Sequence, residues 1–256
     1  MKPYIICIEG SDSSGKQTHT KMLAERLTEL GYKVQTISFP QYDNESSVFV
    51  KKYLAGDYGH DAMQVNPYVA SMFFIQDRMV SYLNSWKSIV ENEDLDIVIM
   101  DRYVTSNLLH QGCKIEDHHD LVNFINWEND LEYKKLGLPV PNNVYYLDMP
   151  RWAAKKLSAG RANKATGGNK QDIHEADEAY METVYTRASV IVQTCGWTRV
   201  RCANSHPMIN PVTKEPDFLD NICPIQDIND RLMRDVIACY DLWRNNINIS
   251  GGNNND

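Results

Sequence analysis

Residues Ile5 to Thr18 read IICIEGSDSSGKQT and set a short apolar run directly in front of Gly10-x4-Gly15-Lys16. A loop of this spacing wraps backbone N–H groups around nucleotide phosphates, with the lysine reaching the outer ones. The flanking residues strengthen the reading. Tyr4 to Ile8 has the length and composition of a buried strand, and the segment opened by Lys16 places Leu23, Leu27 and Leu30 at helical spacing before Gly31, a suitable helix terminator. Phosphate binding needs this order of strand, glycine loop and helix. A plain glycine turn between the two elements is the alternative.

Gln17 rather than Ser or Thr follows the lysine, so the hydroxyl that commonly reaches magnesium is displaced to Thr18. The same delay is found in adenylate kinases and their relatives, and the resemblance implies a nucleoside monophosphate kinase rather than a GTPase or motor ATPase. Base readout of the GTPase kind is missing as well, because Asn163-Lys164 continues into Ala165-Thr166.

The chain has 256 residues at 43% hydrophobic composition, enough for one large core, and no Pro- or Ser-rich linker divides it. The expected organisation is a single domain over 1–244, with a lid segment at about 159–175 and a disordered tail over 245–256 (NNINISGGNNND). No apolar run reaches the roughly 20 residues of a membrane span, and the first strand lies too near the N-terminus for a signal peptide. A cytoplasmic protein with no membrane partner is expected. The net charge of −8 argues against a nucleic-acid groove, which needs a basic face. Six cysteines without C-x-x-C spacing read as free, buried thiols. His118-His119-Asp120 has no third ligand spaced to join it, so no metal is expected there.

Further strands are expected at Val34–Phe39, Ile97–Asp101, Val144–Asp148 and Trp197–Cys202, with helical patterns between them. That alternation describes an α/β chain, a P-loop nucleotide-binding fold in which a five-stranded parallel sheet carries helices on both faces. Ligands then bind at the carboxyl ends of the strands. Asp101 closes one such strand, where a carboxylate can orient magnesium waters beside the glycine loop. The planar fork of Arg102 suits a bidentate phosphate, unless the two neighbours form a surface ion pair. On one helix Met72, Ile75, Met79, Leu83, Trp86 and Val90 make an apolar stripe, with Phe74 and Arg78 together roughly 120° away. An aromatic face beside a guanidinium suits a planar pyrimidine. The alternative is a second packing face with Arg78 bonded to Asp77 or Glu132. Asp12 needs a partner other than the phosphates, or serves as a turn former. Finally, Arg161, Lys164 and Lys170 sit in AGRANKATGGNKQD (159–172), which can close over ATP and bring charge to a transferring phosphoryl group, or is a solvated loop.

Taken in order, Glu9-Gly10-x-Asp12-x-x-Gly15-Lys16, Phe39-Pro40, Tyr53-Leu54-x-Gly56, Phe74-x-x-x-Arg78, Asp101-Arg102-Tyr103-x-x-Ser106, Gln111-Gly112 and Leu147-Asp148 resemble the thymidylate kinase family over about residues 3 to 240. The resemblance implies transfer of the ATP γ-phosphoryl group to dTMP, with Mg²⁺ as cofactor and a homodimer packed through helices. It implies ATP binding by Gly10, Ser11, Asp12, Ser13, Ser14, Gly15, Lys16, Gln17 and Thr18, and an acceptor phosphate held by Arg102. Asp12 would accept from the sugar 3′-hydroxyl, Phe74 would stack on the base, and Arg78 would donate to a base carbonyl. Phe39, Pro40, Tyr42, Ser106, His110 and Gln111 complete the expected acceptor pocket. Ser13 stands where some members place a catalytic arginine, which leaves the catalytic cation to Arg161, Lys164 or Lys170. His110 stands where many members have tyrosine, and Tyr42 where some have a phosphate-binding arginine. Broader use of deoxynucleoside monophosphates, or a deoxynucleoside kinase, therefore stays open beside a catalytically weak nucleotide-binding regulator.

Overall fold

A computed structural model describes residues 1–158, 173–174, 177–204, 208–209, 216–217 and 221–251. Strands β1 (Tyr4–Gly10), β2 (Val34–Ser38), β3 (Ile97–Asp101), β4 (Asn143–Asp148) and β5 (Thr198–Arg201) form one parallel sheet in the order β2-β3-β1-β4-β5. Two further short strands, β6 (Met208–Ile209) and β7 (Pro216–Asp217), pair antiparallel outside it. Helices α1 (Lys16–Glu29), α2 (Val48–Ala55), α3 (Pro67–Ser81), α4 (Lys87–Val90), α5 (Val104–His110), α6 (His118–Asn129), α7 (Arg151–Ser158), α8 (Glu178–Thr194) and α9 (Ile225–Gly251) surround the sheet. The expected fold class and its five strands are found.

Every residue of β1 is buried, as a central strand covered on both faces must be. Its side chains alternate. Ile6 and Ile8 meet Leu23 and Leu27 of α1 and Ile228, Leu232 and Val236 of α9, while Ile5 and Cys7 pack with Trp86, Val90, Tyr103 and Val104 on the opposite face. A third cluster joins Tyr146 to α5, α6 and α8 through Leu109, Phe124, Val184 and Ile191. Because β1 lies between β3 and β4, its carboxyl end is the switch point where a parallel sheet opens a crevice for ligands. Ile8 pairs with Asp101 and Gly10 with Leu147 at that end.

One sequence expectation is revised. The α3 stripe is not the core face: Met72 is 47% and Leu83 68% exposed, while Ala70, Ser71, Ile75, Asp77, Arg78 and Ser81 are buried. Polar anchoring decides the rotation. The Asp77 carboxylate accepts from Gln41 N–H (2.9 Å) and Ser46 Oγ (2.6 Å), and Arg78 is held by Glu132. A π turn over Tyr82–Trp86 then shifts the phase so that Trp86 and Val90 return inward. At the C-terminus, α9 runs to Gly251. All six cysteines are free, with Cys7, Cys113 and Cys202 buried. Among the described residues no helix is long and apolar enough to cross a membrane.

Candidate active site

The glycine loop follows β1 without a break. Gly10 has φ +157°, and a Cβ there would lie 2.5 Å from Ser14 Oγ and 3.0 Å from Leu147 O, so only glycine fits. Gly15 caps α1 at φ +90°, and the first N–H groups of α1, which lack intrahelical partners, open onto the loop. Lys16 Nζ donates to Gly10 O and Ser11 O, both at 2.8 Å, and stands 4.0 Å from the Asp12 carboxylate. Burial and the nearby Arg102 charge push its ammonium down to about 8, with Asp12, Asp101 and Glu9 opposing. The Ser11 and Ser14 hydroxyls are buried without a partner among the described residues. They are the polar groups a phosphate or its hydrated cation can satisfy. Gln17 and Thr18 are exposed on α1.

Asp101 is 8% exposed at the end of β3, and Arg102 follows with φ +64°. That left-handed conformation costs a non-glycine residue energy and turns the side chain back toward the loop. Arg102 Nη2 pairs with the Asp12 carboxylate, and Nη1 lies 3.2 Å from His110 Nε2. Burial opposes ionisation of Asp12, yet Arg102, Lys16 and His110 together hold its carboxyl well below the usual range. Because Arg102 has no acceptor atom, His110 Nε2 accepts and its proton sits on Nδ1. Burial drives the imidazole down to about 3, against the pull of Asp12, so it is neutral. The Tyr180 hydroxyl donates to His110 O at 2.8 Å, and the His174 ring stacks on His110 at 5.8 Å and 7° while meeting Tyr53 Oη at 3.1 Å.

Glu9, quoted in the sequence motif but given no role there, organises the start of α5. Its Oε1 accepts from Thr105 Oγ1 (2.7 Å) and Tyr103 N–H (3.2 Å), both buried, and from the half-buried Ser106 Oγ (2.7 Å). Ser106, expected in the acceptor pocket, thus donates its hydroxyl hydrogen bond to Glu9.

The base-facing expectations divide. Phe74 is half-buried beside Tyr53, edge to face at 5.9 Å. Arg78 takes the partner that the packing alternative named: Nε and Nη2 donate to Glu132 at 2.7 and 2.6 Å, and Nη1 to Tyr103 O at 3.3 Å. Three of its five N–H groups are therefore engaged inside the protein. Phe39 is a core residue, packed on Trp86 and Tyr103 at 5.4 and 5.6 Å, and precedes Pro40 through a cis peptide bond. Tyr42 leans on the Val50, Tyr53, Leu54 and Ala70 cluster. Both amide atoms of Gln111 are buried with no partner among the described residues, which suits a residue that reads a ligand.

Sequence reasoning missed Asn107 and Glu128, both fully buried beside Arg78, because polar residues on a buried face leave no periodic signal. Burial and neighbouring Glu132 push the Glu128 carboxyl up to about 8; burial raises Glu132 too, with Arg78 opposing. Arg161, Lys164 and Lys170 lie outside the described residues. Asp117 does bring a third ligand-type side chain to His119 and Asp120, but it is exposed and serves as the N-cap of α6, accepting from Asp120 N–H at 2.9 Å.

A sequence-family model described as thymidylate kinase matches residues 8–201, from the middle of β1 to the last residue of β5. The thymidylate kinase of Mycobacterium tuberculosis is 27% identical over 194 residues, 75% of this chain and 87% of that protein. That of Leptospira borgpetersenii is 28% identical over 182 residues (70% and 80%), and the probable thymidylate kinase of Metallosphaera sedula 28% over 178 (69% and 77%). With the glycine loop, the Asp101-Arg102 turn and strands β2 to β5 all inside the matched span, the chain belongs to the thymidylate kinase family.

Proposed function

We propose that the chain transfers the γ-phosphoryl group of ATP to dTMP, giving dTDP and ADP, with the acceptor phosphate bound at Arg102. The carrying observation is that Lys16, Asp12, Arg102 and His110 form one contiguous cluster at the switch point of the sheet, with Lys16 and His110 buried and Asp12 and Arg102 partly open to solvent. Lys16 and the α1 N-terminus hold the donor phosphates, while Arg102, kept in place by Asp12 and neutral His110, presents its fork to the acceptor phosphate. Asp12 offers its remaining lone pairs to the acceptor sugar. No covalent intermediate is needed, because in-line positioning and charge neutralisation lower the barrier. The oxygen donors here, Asp101 with the unpartnered Ser11 and Ser14 hydroxyls, fit a hydrated Mg²⁺, which when bound would neutralise developing phosphate charge. Arg161, Lys164 and Lys170 supply the lid cation.

Val69 (51% exposed), Met72 and Leu83 form an apolar strip along α3 and the turn after it, with Val48 and Phe49 of α2 also exposed. A groove of about 690 Å³ lined by Ser46, Phe49, Gln76 and Val80 adjoins it. A strip of this kind supports a homodimer built on α2 and α3. Measured ADP release with dTMP, dUMP, dCMP and dGMP tests the function, and absence of turnover with dTMP would sink it. A wider acceptor range is favoured by one observation only: the compact imidazole of His110 at the sugar end of the cluster.

A further inference from the structure

At the end of α5 two imidazoles lie flat against each other. His110, the last residue of that helix, brings Nε2 to 3.2 Å from Arg102 Nη1, and the His174 ring covers its face at 5.8 Å and 7°. His174 is itself held from two sides. Its Nε2 meets the hydroxyl of Tyr53, a fully buried residue of α2, at 3.1 Å, and the Tyr180 ring of α8 lies 4.8 Å away. One residue earlier, Ile173 N–H donates to Leu54 O of α2 at 3.0 Å, and the Ile173 side chain packs on the Val50, Tyr53, Leu54 and Ala70 cluster. Burial keeps both imidazoles neutral, so their stack carries no charge repulsion. A line of contacts thus runs from α2 through Tyr53, His174 and His110 to Arg102 and its partner Asp12.

We infer that His174 is a positioning residue for the acceptor clamp: lying flat on His110 and pinned by the Tyr53 hydroxyl, it holds the His110 ring so that Nε2 stays aimed at the Arg102 guanidinium. The inference rests on the proposed reading of Arg102 as the group that binds the acceptor phosphate. The Arg102 fork is steered by Asp12 at Nη2 and by His110 at Nη1. An imidazole fixed at one edge can turn about its Cβ–Cγ bond, and a ring packed on its face blocks that turn. A half-turn would put Cε1–H where Nε2 accepts, and Nη1 would lose its acceptor. The guanidinium would then be steered by Asp12 alone, and the fork would spend less time facing the phosphate. Lys16 bonds to the loop carbonyls of Gly10 and Ser11 and not to this line, so donor binding serves as the internal control.

The test compares dTMP KM, ATP KM and kcat in wild type, His174→Ala, His174→Phe and Tyr53→Phe, with His110→Ala as a second background. His174→Ala should raise the dTMP KM about tenfold and leave the ATP KM within about twofold. His174→Phe keeps a flat ring without the bond to Tyr53, so its dTMP KM should stay within about threefold of wild type. Adding Tyr53→Phe to His174→Phe should then change little, because the hydroxyl acts through Nε2. In the His110→Ala background, His174→Ala should move the dTMP KM by less than about twofold, since the ring it positions is gone. Equal increases in both backgrounds would assign His174 to the substrate or to the fold and overturn the inference, as would an unchanged dTMP KM in His174→Ala. Should His174→Ala fail to fold, the Phe variants carry the test, and additive increases from His174→Phe and Tyr53→Phe overturn it. Without nucleotide, ¹⁵N-histidine spectra should show the His110 ring signals displaced when His174 is replaced, and unmoved signals also overturn it. Lack of any dTMP turnover in wild type falls on the functional reading instead, since the histidine signals are read without substrate.

Discussion

Glu132→Gln removes the charge that holds a fully buried guanidinium through contacts of 2.7 and 2.6 Å. Stripping one partner from such a pair usually costs about 3–5 kcal/mol, because the remaining charge is left uncompensated in a low dielectric. Here the second acid changes the result. Glu128 can release its proton once the Glu132 charge is gone, and its carboxylate then faces Arg78. The single substitution should therefore cost only about 1–3 kcal/mol, mainly the weakened charge-assisted hydrogen bonds. Glu128→Gln exchanges a neutral acid for a neutral amide and should cost less than about 1 kcal/mol. The double substitution leaves Arg78 with no carboxylate at all, so its cost should return to about 3–5 kcal/mol and exceed the sum of the singles. Urea unfolding of the four proteins at neutral pH measures this cycle, provided the slopes with denaturant agree. In a thermal scan the double variant should fall by roughly 2–4 °C for each kcal/mol lost. Losses that add within about 0.5 kcal/mol would refute the shared proton. The pH slope gives a check of sign. The folded pKa of Glu128, about 8, lies above its unfolded value of 4.5, so the folded chain keeps a proton that the unfolded chain releases. That linked stabilisation is complete below the unfolded value and is lost as pH rises to about 8. Glu128→Gln should flatten stability against pH within this window.

The sheet was legible because parallel strands buried on both faces read as continuous apolar runs. Tyr4 to Ile8 and Ile97 to Asp101 need no periodicity to be recognised. The glycine loop was legible because the backbone conformation at Gly10 excludes every other residue, so its spacing survives as a motif. Helix α3 was not, and the reason is physical. Its orientation is set by Asp77 and Arg78, whose buried hydrogen bonds outweigh the apolar stripe of Met72 and Leu83. Hydrophobic periodicity measures only transfer from water, and it has no term for a charge that finds a partner inside.

The same limit separates the two ends of the candidate site. Asp12, Lys16 and Arg102 could each be singled out from the sequence, Asp12 as an acid that wants a partner other than the phosphates. The structure then pairs it with Arg102 and Lys16. Glu9 and Glu128 could not, because each acts through residues nearly a hundred or some tens of positions away in sequence, brought close only when α3, α5 and α6 pack. Phe39 shows the converse: its neighbour Pro40 and its place after β2 mark a functional turn, yet the ring itself fills the core against Trp86.

Three further substitutions bear on the reaction. Lys16→Ala should abolish transfer from ATP to dTMP while the protein still unfolds cooperatively, since Lys16 contacts loop carbonyls and little apolar surface; near-normal turnover in the folded variant would remove the loop from the mechanism. The triple variant of Arg161, Lys164 and Lys170 to Ala should lower kcat far more than it weakens ATP binding, by about 10³-fold or more if the lid supplies the charge needed in flight. An intact kcat would exclude a lid-borne cation. Arg102→Ala should raise the dTMP KM and slow turnover together, because the lost bidentate contact to a phosphate is worth about 1.5–3 kcal/mol, a factor of roughly ten to a hundred. It also frees Asp12 from its nearest cation, so that a carboxylate previously neutralised now faces the incoming phosphate. Arg102→Ala combined with Asp12→Asn should therefore recover part of the dTMP affinity that Arg102→Ala loses, by removing the repulsion without restoring the clamp. If the double variant bound dTMP no better than Arg102→Ala alone, Asp12 would be acting on the sugar hydroxyl rather than through the arginine, and the ion pair would be incidental to acceptor binding.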